Sequence, residues 1–587
     1  MSQNAPRFVE VAEVAHLIAQ GRPVVVHEGY ALDLATWIDK HPGGRLAILH
    51  MVGRDATDEI NIYHSTRTLL CMKKFRIGRV HEPWVNLDPP IRSPDFYEKL
   101  ALRKEERANR RAEEGPWTRR RSRASVDLSS VGLLHTNTML SGAPKAAVVL
   151  HKKLTTTTCT RRPSATVLVD PEKQPLVPTS PVRSSPVSAD ELIAARERYA
   201  TELEEKETAE GLRDNPSVDA ETQRAIVLEY RALHQRIKDE GLYACRFSEY
   251  ARESVRYAIL FGLFLYLLHI KWYLTSAIAL GLFWQQIMFT AHDAAHCGIT
   301  ANFTADTLLG AFIADFCCGL SIGWWKSSHN VHHLITNDPT HDPDIQNIPL
   351  FSNSPTYMKS ILSSFYNFRF VWDGAADFLI PYQKYTYYPV MALARFNLYM
   401  LSWLHLVSPR AAQLGAAWWT RPVEIAFMAC YWFLFGYCLV WHTLPTWPTR
   451  IAFVLISHMV TMILHVQITL SHWGMPTADL GPTESFAQRQ LRTTMDVDCP
   501  PWLDFLHGGL QFQAVHHLFP RVPRHNLRQA QTLVREFCDK TEIKYQCYGF
   551  VKGNKIVLSR LEEVAKMVTT LVECQKFMAE TGESGLH

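Results

Sequence analysis

Residues 275–296 have the sequence TSAIALGLFWQQIMFTAHDAAH, in which an uncharged apolar run leads directly into His292 and His296. A run of this length is long enough to cross a bilayer as one helix. Side chains four positions apart lie on the same face of a helix, so the two imidazoles point in one direction. The stretch therefore predicts a transmembrane helix that presents a pair of candidate metal ligands at one end.

Two further histidine clusters follow at the same helical spacing, HNVHH at 329–333 and QAVHH at 513–517. One histidine at a membrane face is more often a hydrogen-bonded structural residue. Histidines from three segments argue instead for a metal site, because ionisable groups are costly there. Imidazole binds iron, copper, zinc and nickel, so the ligand type alone leaves the metal open. The candidate ligands are His292, His296, His329, His332, His333, His516 and His517.

Four apolar runs are long enough to cross a membrane, and they pair into two hairpins. The first pair is 257–274 with 275–291, and the second pair is 423–441 with 451–470. The long connections carry most of the Lys and Arg residues and are therefore expected in the cytosol, which places all three histidine clusters at one membrane face. Two more apolar stretches, 308–325 and 388–407, are expected to be buried or interfacial.

The chain has 587 residues, too many for one hydrophobic core, and its N-terminal half is much more polar than its C-terminal half. Ser188 and Glu191 predict a capping box at the start of a helix, and a second helix is predicted over 219–256. We divide the chain into a folded module at 7–82, a flexible low-complexity linker at 83–187, cytosolic helices at 188–255, a membrane domain at 256–545 and a C-terminal cytosolic segment at 546–587.

The linker combines a mixed-charge run at 103–123 with Thr-rich, Pro-rich and Ser-rich stretches at 155–188. Such a composition cannot bury enough apolar surface to fold. Acidic residues interrupt the basic ones, which favours a tether over an arm that binds nucleic acid. Residues 1–20 lack the pattern of a cleaved signal peptide. The 12 cysteines contain no CxxC pair, so we expect reduced thiols in a protein that faces the cytosol.

A second chemical site is predicted near the N-terminus, where HPGG at 41–44 is followed by His64. The glycines permit a tight turn and a close approach of the backbone to a flat ligand. Two neutral imidazoles on opposite sides can fill both axial positions of a haem iron, so such a haem carries electrons and does not bind oxygen. The HPGG turn alone would indicate only the end of a helix, but the second histidine favours a haem.

Residues 8–80 resemble the cytochrome b5 family, including the closing segment FRIGR at 75–79. The resemblance implies a small α+β domain in which His41 and His64 hold haem b. Their separation is similar to that in the form fused to membrane desaturases. An electron carrier joined to a metal site implies redox chemistry, which excludes zinc as the reactive ion and favours iron.

The combination HxxxH, HxxHH and QxxHH resembles the membrane fatty-acyl desaturase superfamily over 257–527. Gln513 in place of a histidine and DPDI at 342–345 are typical of its cytochrome b5-fused front-end branch. The resemblance implies an all-α membrane domain in which the clustered histidines bind two iron ions. It also implies an eighth ligand at the end of the last span, for which His472 is favoured and His465 is the competitor.

Other polar residues near the clusters are candidates for orienting the ligands. Gln513 cannot supply an imidazole nitrogen, so it is expected to bind through its amide oxygen, to act through water or to orient a neighbour. If His465 is not a ligand, it is expected to bond across helices as a buried polar residue. These candidates are Gln513, His465, Asn330, Asp293 and Asp344.

The resemblance implies an O2-dependent oxidoreductase that uses two irons and electrons from its own haem to place a double bond in the alkyl chain of a lipid. No GxGxxG fingerprint follows a predicted strand, so NADH or NADPH is expected to act through a separate cytochrome b5 reductase. We expect a multi-pass protein of the endoplasmic reticulum whose haem domain and metal site face the cytosol. Its expected substrate is a ceramide, a sphingoid base or an acyl chain.

Among front-end enzymes the chain looks most like the fungal sphingolipid Δ8 desaturases, on its long linker and on the segments 292–300 and 465–473. Three alternatives stay open at this point. One is a Δ6 or Δ5 fatty-acyl desaturase, and another is a lipid-chain hydroxylase with the same metal site. The third is a membrane-anchored haem electron donor without catalysis, which would not need the clustered histidines.

Overall fold

The computed structural model describes residues 7–93, 187–412 and 415–581. Nearly all of the linker predicted at 83–187 lies outside these described residues, and so do its charged run at 103–123 and most of the stretches at 155–188. The described chain forms a small N-terminal α+β domain followed by a largely helical body. This is the multidomain fold that the sequence predicted.

The N-terminal domain combines a small sheet with short helices. Its elements are α1 (Val11–Ala19), β1 (Val24–His27), β2 (Tyr30–Asp33), α2 (Arg45–Leu49), α3 (Thr57–Tyr63), α4 (Thr66–Met72) and β3 (Arg76–Arg79). The sheet is antiparallel in the order β1-β2-β3. Every residue of β1 is buried, which suits its run of β-branched valines. Val25 pairs with Leu32, and both side chains enter the apolar core of the domain.

Two long polar helices precede the membrane part, α5 (Ala189–Asp214) and α6 (Ala220–Asp239). The predicted capping box is confirmed, because Ser188 Oγ accepts from the Glu191 amide at 3.2 Å and the Ser188 amide donates to the Glu191 carboxylate at 2.9 Å. The helix predicted over 219–256 is shorter than expected. Gly241, with φ of 69°, ends α6, and a separate helix begins at Phe247.

Four helices among the described residues are long and apolar enough to cross a membrane. They are Tyr273–Ala295, Gly374–Val407, Gly415–Thr443 and Trp447–Leu470. Three of them contain spans that the sequence predicted, at 275–291, 423–441 and 451–470. The expectation of about four membrane helices is therefore confirmed, although Gly374–Val407 takes the place of the span predicted at 257–274.

The span predicted at 257–274 is not in this set. Only residues 257–269 of it lie in α7 (Phe247–His269), because the chain turns at Lys271, and Arg252, Glu253 and Arg256 occupy the first half of the helix, so its uncharged part is short. Its apolar half still packs along α8 (Tyr273–Ala295), where the Ser276 hydroxyl donates to a carbonyl of α7 at 2.8 Å. The two helices thus form a hairpin, as the sequence predicted, with a first arm that is more polar than expected.

The stretch 388–407, which was expected to be buried or interfacial, belongs to the long apolar helix Gly374–Val407. Large apolar side chains on this helix are exposed, among them Phe396, Met400 and Leu404. Exposed apolar side chains on a long helix are typical of contact with lipid. The helix is longer than the predicted stretch, and its full length makes it a candidate span.

The apolar stretch at 308–325 forms a sharply bent helix pair. Its first arm is α9 (Phe303–Ala311), extended by a π-helical segment to Cys317, and its second arm is α10 (Ile322–Leu334). The helix axis bends by 116° between the two arms. The turn requires Gly319, which has φ of 71°, because a Cβ there would lie 2.2 Å from the Tyr431 ring. The second histidine cluster lies on the last turns of α10.

The remaining elements follow α10 in the chain and include the helix that carries the third histidine cluster. Its elements are β4 (Ile361–Ser363), β5 (Phe368–Phe370), α11 (Gly374–Leu379), α12 (Gln383–Val407), α13 (Thr420–Tyr431), α14 (Trp447–Val460), α15 (Met462–Leu470), α16 (Phe486–Arg492), β6 (Asp496–Asp498), α17 (Asp504–His507), α18 (Gln513–Leu518), α19 (Leu527–Thr541), β7 (Cys547–Gly549) and α20 (Phe550–Thr581). The cluster occupies α18. Asp496 fixes the start of this helix, since its carboxylate accepts from the Ala514 amide at 2.8 Å.

Candidate haem and metal sites

His41 and His64 face each other in the N-terminal domain, with ring centroids 6.0 Å apart. His41 lies in the turn before α2, and His64 directly follows α3. The Nδ1 atom of His41 donates to the Gly44 carbonyl and that of His64 donates to the Ile60 carbonyl, each at 2.9 Å. Both Nε2 lone pairs are therefore free to bind a metal ion held between the two rings.

The surroundings of this histidine pair suit an apolar cofactor. Burial lowers the pKa of His41, and burial together with the neighbouring His41 lowers the pKa of His64 to about 4. Both imidazoles are therefore neutral at physiological pH. Ile60, whose carbonyl bonds His64, packs against the apolar core formed by Leu32, Ile48 and their neighbours. These residues fit a haem whose iron is bound by two neutral imidazoles.

The three histidine clusters meet in the helical body. Ring nitrogens of His292, His296, His329 and His516 lie within 4.8 Å of one another. The ring centroid of His516 is 4.5 Å from that of His292 and 4.7 Å from that of His296. Residues from the end of α8, from α10 and from α18 thus converge on one position, which a shared metal site requires.

A second group of imidazoles lies beside the first. Ring nitrogens of His332, His472 and His517 also lie within 4.8 Å of one another. His333 stands between the two groups, with its ring centroid 4.0 Å from that of His517 and 4.4 Å from that of His329. Two adjacent groups of nitrogen donors can hold two neighbouring metal ions.

Hydrogen bonds set the direction of the ring nitrogens in the second group. His332 Nδ1 donates to the Asp342 carboxylate at 2.8 Å, and His517 Nδ1 donates to the Gln490 side-chain oxygen at 2.8 Å. His472 Nδ1 lies 3.4 Å from a backbone carbonyl. Each ring therefore keeps Nε2 available for a metal, the arrangement that outer hydrogen bonds enforce on metal-binding histidines.

Unpaired ring nitrogens show that a metal fits here. The Nε2 atoms of His292, His296, His516 and His517 are buried and have no hydrogen-bond partner among the described residues. Leaving a buried polar atom unpaired destabilises a protein by about 1–3 kcal/mol. Burial, with repulsion from neighbouring imidazoles, lowers the pKa of His472, His516 and His517 well below the usual value, so these rings are unprotonated. Metal ions would pair all four nitrogens.

The two competing histidines near the end of the last membrane helix have different surroundings. His472 follows α15 and joins the second group, with its ring centroid 4.6 Å from that of His332. His465 lies within α15, and its Nδ1 donates to the Met391 carbonyl of α12 at 3.1 Å. The fold thus brings His472 to the site and holds His465 in a bond between two helices.

Gln513 lies on the helix that carries the third histidine cluster, and Asp293 contacts the first cluster. Gln513 begins α18, and its side-chain oxygen is buried without a partner among the described residues. One Asp293 oxygen lies 3.4 Å from His292 Nδ1, while the other accepts from the Arg524 guanidinium at 2.7 Å and from the Tyr250 hydroxyl. Asp293 therefore connects the first histidine cluster to α7 and to the segment before α19.

Asp344 and Asn330 differ in their relation to the site. Asp344 lies 3.7 Å from His329 Nδ1 and accepts from the Ser328 hydroxyl at 2.8 Å. Asn330 instead donates to the Gly43 carbonyl of the N-terminal domain at 3.4 Å. Its place beside His329 in the sequence suggested that it orients an imidazole. Neighbouring side chains on a helix point in different directions, however, and Asn330 faces the other domain.

Two residues at the site, Asp342 and Gln490, were not singled out as candidates from the sequence. Asp342, the partner of His332, is fully buried and belongs to the DPDI motif, where Asp344 was chosen instead. Gln490 lies on α16, and no sequence motif around it indicates that it bonds to the third cluster. Trp325 stacks on His329 with ring centroids 4.1 Å apart and covers that imidazole.

Comparison with known proteins follows the same division of the chain. Residues 10–81 match the cytochrome b5-like haem/steroid binding domain, and residues 270–549 match the fatty acid desaturase family. The Delta 8-(E)-sphingolipid desaturase of Kluyveromyces lactis is 43% identical over 97% of this chain and 95% of its own length. The chain belongs to the cytochrome b5-fused membrane desaturases. A desaturase of the same name from Emericella nidulans is 42% identical over 97% of this chain and 96% of its own length.

A plant relative matches a smaller part of the desaturase. The Delta(8)-fatty-acid desaturase of Helianthus annuus is 39% identical over 50% of this chain and 62% of its own length. Family membership makes the protein an oxidoreductase that acts on lipids in a membrane. It also implies a haem in the N-terminal domain, and the histidine groups fit a metal site.

Proposed function

We propose that the desaturase places an (E) double bond at the Δ8 position of the long-chain base of a ceramide or a related sphingolipid. One observation carries this proposal. Relatives named for that reaction are 42–43% identical over nearly the whole length of the chain, linker included. The relative named for fatty acids aligns with only 50% of the chain.

We assign iron to both metal positions, because a haem electron carrier joined to the site requires a redox-active ion. When bound, the irons supply the dioxygen chemistry that removes two vicinal hydrogens from an unactivated alkyl chain. Overall, O2 with two electrons and two protons converts –CH2–CH2– to –CH=CH– and two waters. The proposed ligands are His292, His296, His329 and His516 for one ion, His332, His472 and His517 for the other, and His333 between them.

The chain's own residues hold this arrangement in place. Asp342 and Gln490 keep the His332 and His517 rings turned with Nε2 toward the site. Trp325 covers one side of the first group and excludes water from the His329 ring. The burial of these ligands means that an alkyl chain beside them would meet a dry and rigid surface, which positions two chosen methylenes.

The electrons are proposed to arrive one at a time through the haem between His41 and His64. That haem would have no open axial position, so its task is transfer. NADH or NADPH would act through a separate cytochrome b5 reductase. We place the haem domain and the histidine groups in the cytosol and the membrane helices in the endoplasmic reticulum, because the long basic connections favour the cytosolic side.

Expression in a yeast strain that lacks its own Δ8 enzyme tests this function. Mass spectrometry of the long-chain bases should show a product that has lost two hydrogens, and His516→Ala should abolish it. His465→Gln is the matched control, because glutamine can still donate to the Met391 carbonyl and product should remain. A gain of one oxygen would indicate a hydroxylase. New double bonds confined to fatty acyl chains would indicate a Δ6 or Δ5 acyl desaturase.

A further inference from the structure

The N-terminal domain docks on the helical body through α3. Ile62 on this helix shares a buried apolar cluster with Tyr230 of α6 and Leu518 of α18. Asp58, one turn earlier, accepts from the Arg231 guanidinium at 2.7 Å. The helix that ends at the haem-side residue His64 therefore packs directly against elements that support the third histidine cluster.

A second contact joins the same two domains through α10. Leu46 of α2 packs against Val331, which lies within the second histidine cluster, and against Ile335, which follows it. Leu334 of α10 packs in turn against the apolar core of the N-terminal domain. The helix that carries His329, His332 and His333 thus lies against the haem-binding domain itself.

Tyr63 lies where these two contacts meet. It directly precedes His64 in the chain, and its ring stands edge-to-face on the His333 imidazole, with centroids 6.2 Å apart and planes at 88°. Its hydroxyl oxygen is buried and has no hydrogen-bond partner among the described residues. A continuous path of bonds and one ring contact therefore connects the His64 imidazole to the His333 imidazole.

We infer that Tyr63 is the contact through which electrons pass from His64 to His333, which rests on the function proposed above. Each passage oxidises the haem by one electron and reduces one iron at the histidine groups, and the reductase with NADH or NADPH restores the haem electron. The aromatic ring supplies the contact with His333. The described part of the chain offers the hydroxyl no partner that could take its proton, so the transfer needs the ring and not the phenol group.

The alternative route is the hydrogen bond from Asn330 to the Gly43 carbonyl, which starts on the other side of the haem. It joins HPGG to a residue beside His329, but its length of 3.4 Å is near the limit for a hydrogen bond. The two routes predict that substitution of different residues slows the electron transfer. Tyr63 variants separate the ring from the hydroxyl, and Asn330→Ala interrupts the alternative route.

The test uses the purified full-length protein loaded with haem and iron. The haem is reduced with NADH and cytochrome b5 reductase, oxygen is added, and haem reoxidation is followed by its absorbance in a stopped-flow instrument. Haem content, haem midpoint potential, iron content and melting temperature are measured for every variant. His516→Ala defines the reoxidation rate that does not depend on the histidine groups.

In Tyr63→Phe the haem should be reoxidised at a rate within about twofold of the wild type. In Tyr63→Leu haem reoxidation should be slower by about tenfold or more, equivalent to about 1.4 kcal/mol in the barrier. Reduction by the reductase and the midpoint potential should stay unchanged. Tyr63→Met, which also lacks the ring but has a longer and more flexible side chain than leucine, replaces the leucine variant if that one loses haem.

Wild-type reoxidation in a haem-loaded Tyr63→Leu or Tyr63→Met protein would overturn the inference. Slow haem reoxidation in Asn330→Ala together with fast reoxidation in Tyr63→Leu would also overturn it, because that result assigns the transfer to the route through Gly43. An equal loss in Tyr63→Phe would overturn the role of the ring. A wild-type rate no faster than that of His516→Ala would instead overturn the proposed function, and the Tyr63 route with it.

Discussion

The variant Asp342→Asn tests how the second metal position is built. One Asp342 oxygen accepts both from His332 Nδ1 and from the backbone N–H of Asn337, each at 2.8 Å. The other oxygen accepts from the backbone N–H of Asp344 at 2.9 Å. Asparagine has the same shape but only one accepting oxygen. In either orientation its NH2 group faces an N–H donor, so at least one buried bond is lost.

The size of the effect follows from these contacts. Loss of the outer partner of a metal-binding histidine lowers metal affinity by about 10–100-fold, or about 1.4–2.8 kcal/mol. The donor left unpaired inside the protein should lower the free energy of unfolding by about 1–3 kcal/mol. We therefore expect Asp342→Asn to lose iron from the histidine groups while the haem, which is bound by other residues, is retained.

The assay is the iron content per haem after dialysis against a chelator, together with the melting temperature. Asp344→Asn is the matched control, since the Asp344 carboxylate lies 3.9 Å from His332 Nδ1, beyond a hydrogen bond, and is partly exposed. It should keep more iron than Asp342→Asn. Equal iron retention in Asp342→Asn and the wild type would refute the orienting role of Asp342.

Three further predictions concern the fold around the site. Gly319→Ala should lower the free energy of unfolding by about 1–3 kcal/mol in a detergent melt, because φ is 71° and the new Cβ meets the Tyr431 ring. Arg231→Glu should lower the free energy of unfolding by about 1–3 kcal/mol, because it leaves the buried Asp58 carboxylate without its partner and adds a second negative charge beside it, and it should also slow haem reoxidation. Burial raises the pKa of Asp496 to about 6, so its folded state binds a proton more tightly than the unfolded chain. The free energy of unfolding should therefore fall by up to about 3 kcal/mol as pH rises from about 4 to about 6, and Asp496→Asn should flatten this profile.

Each of these predictions can fail in a distinct way. A Gly319→Ala protein that melts with the wild type would show that the turn between α9 and α10 accepts a side chain. Unchanged haem reoxidation in Arg231→Glu at low salt would show that the ion pair does not hold the two domains together. An identical pH profile in wild type and Asp496→Asn would assign the pH dependence to other groups.

The two haem-binding histidines and the three histidine clusters were predictable because each is a local pattern in the sequence. The spacing of His292 and His296 fixes a shared helix face without any knowledge of the rest of the chain. The apolar runs of three membrane helices are local in the same sense. The first arm of the first hairpin was predicted less well, because α7 ends at His269 and the chain turns at Lys271, with φ of 64°, before the predicted end of the span at 274.

The outer residues of the site were less accessible because they depend on distant contacts. His472 and His465 have similar sequence surroundings, and only the end of α15 at Leu470 and the packing of that helix on α12 separate them. Gln490 reaches His517 from a separate helix, and Asn330 turns toward the N-terminal domain. Such contacts arise from tertiary packing, which no local pattern encodes.

The number of iron ions per haem in the purified full-length protein tests the central claim most directly. We expect about three, one in the haem and two in the histidine groups. His41→Ala should lose the haem and keep the other two, whereas His516→Ala should keep the haem and lose iron from the groups. A protein with an intact haem spectrum, full lipid-desaturating activity and one iron per haem would contradict the account.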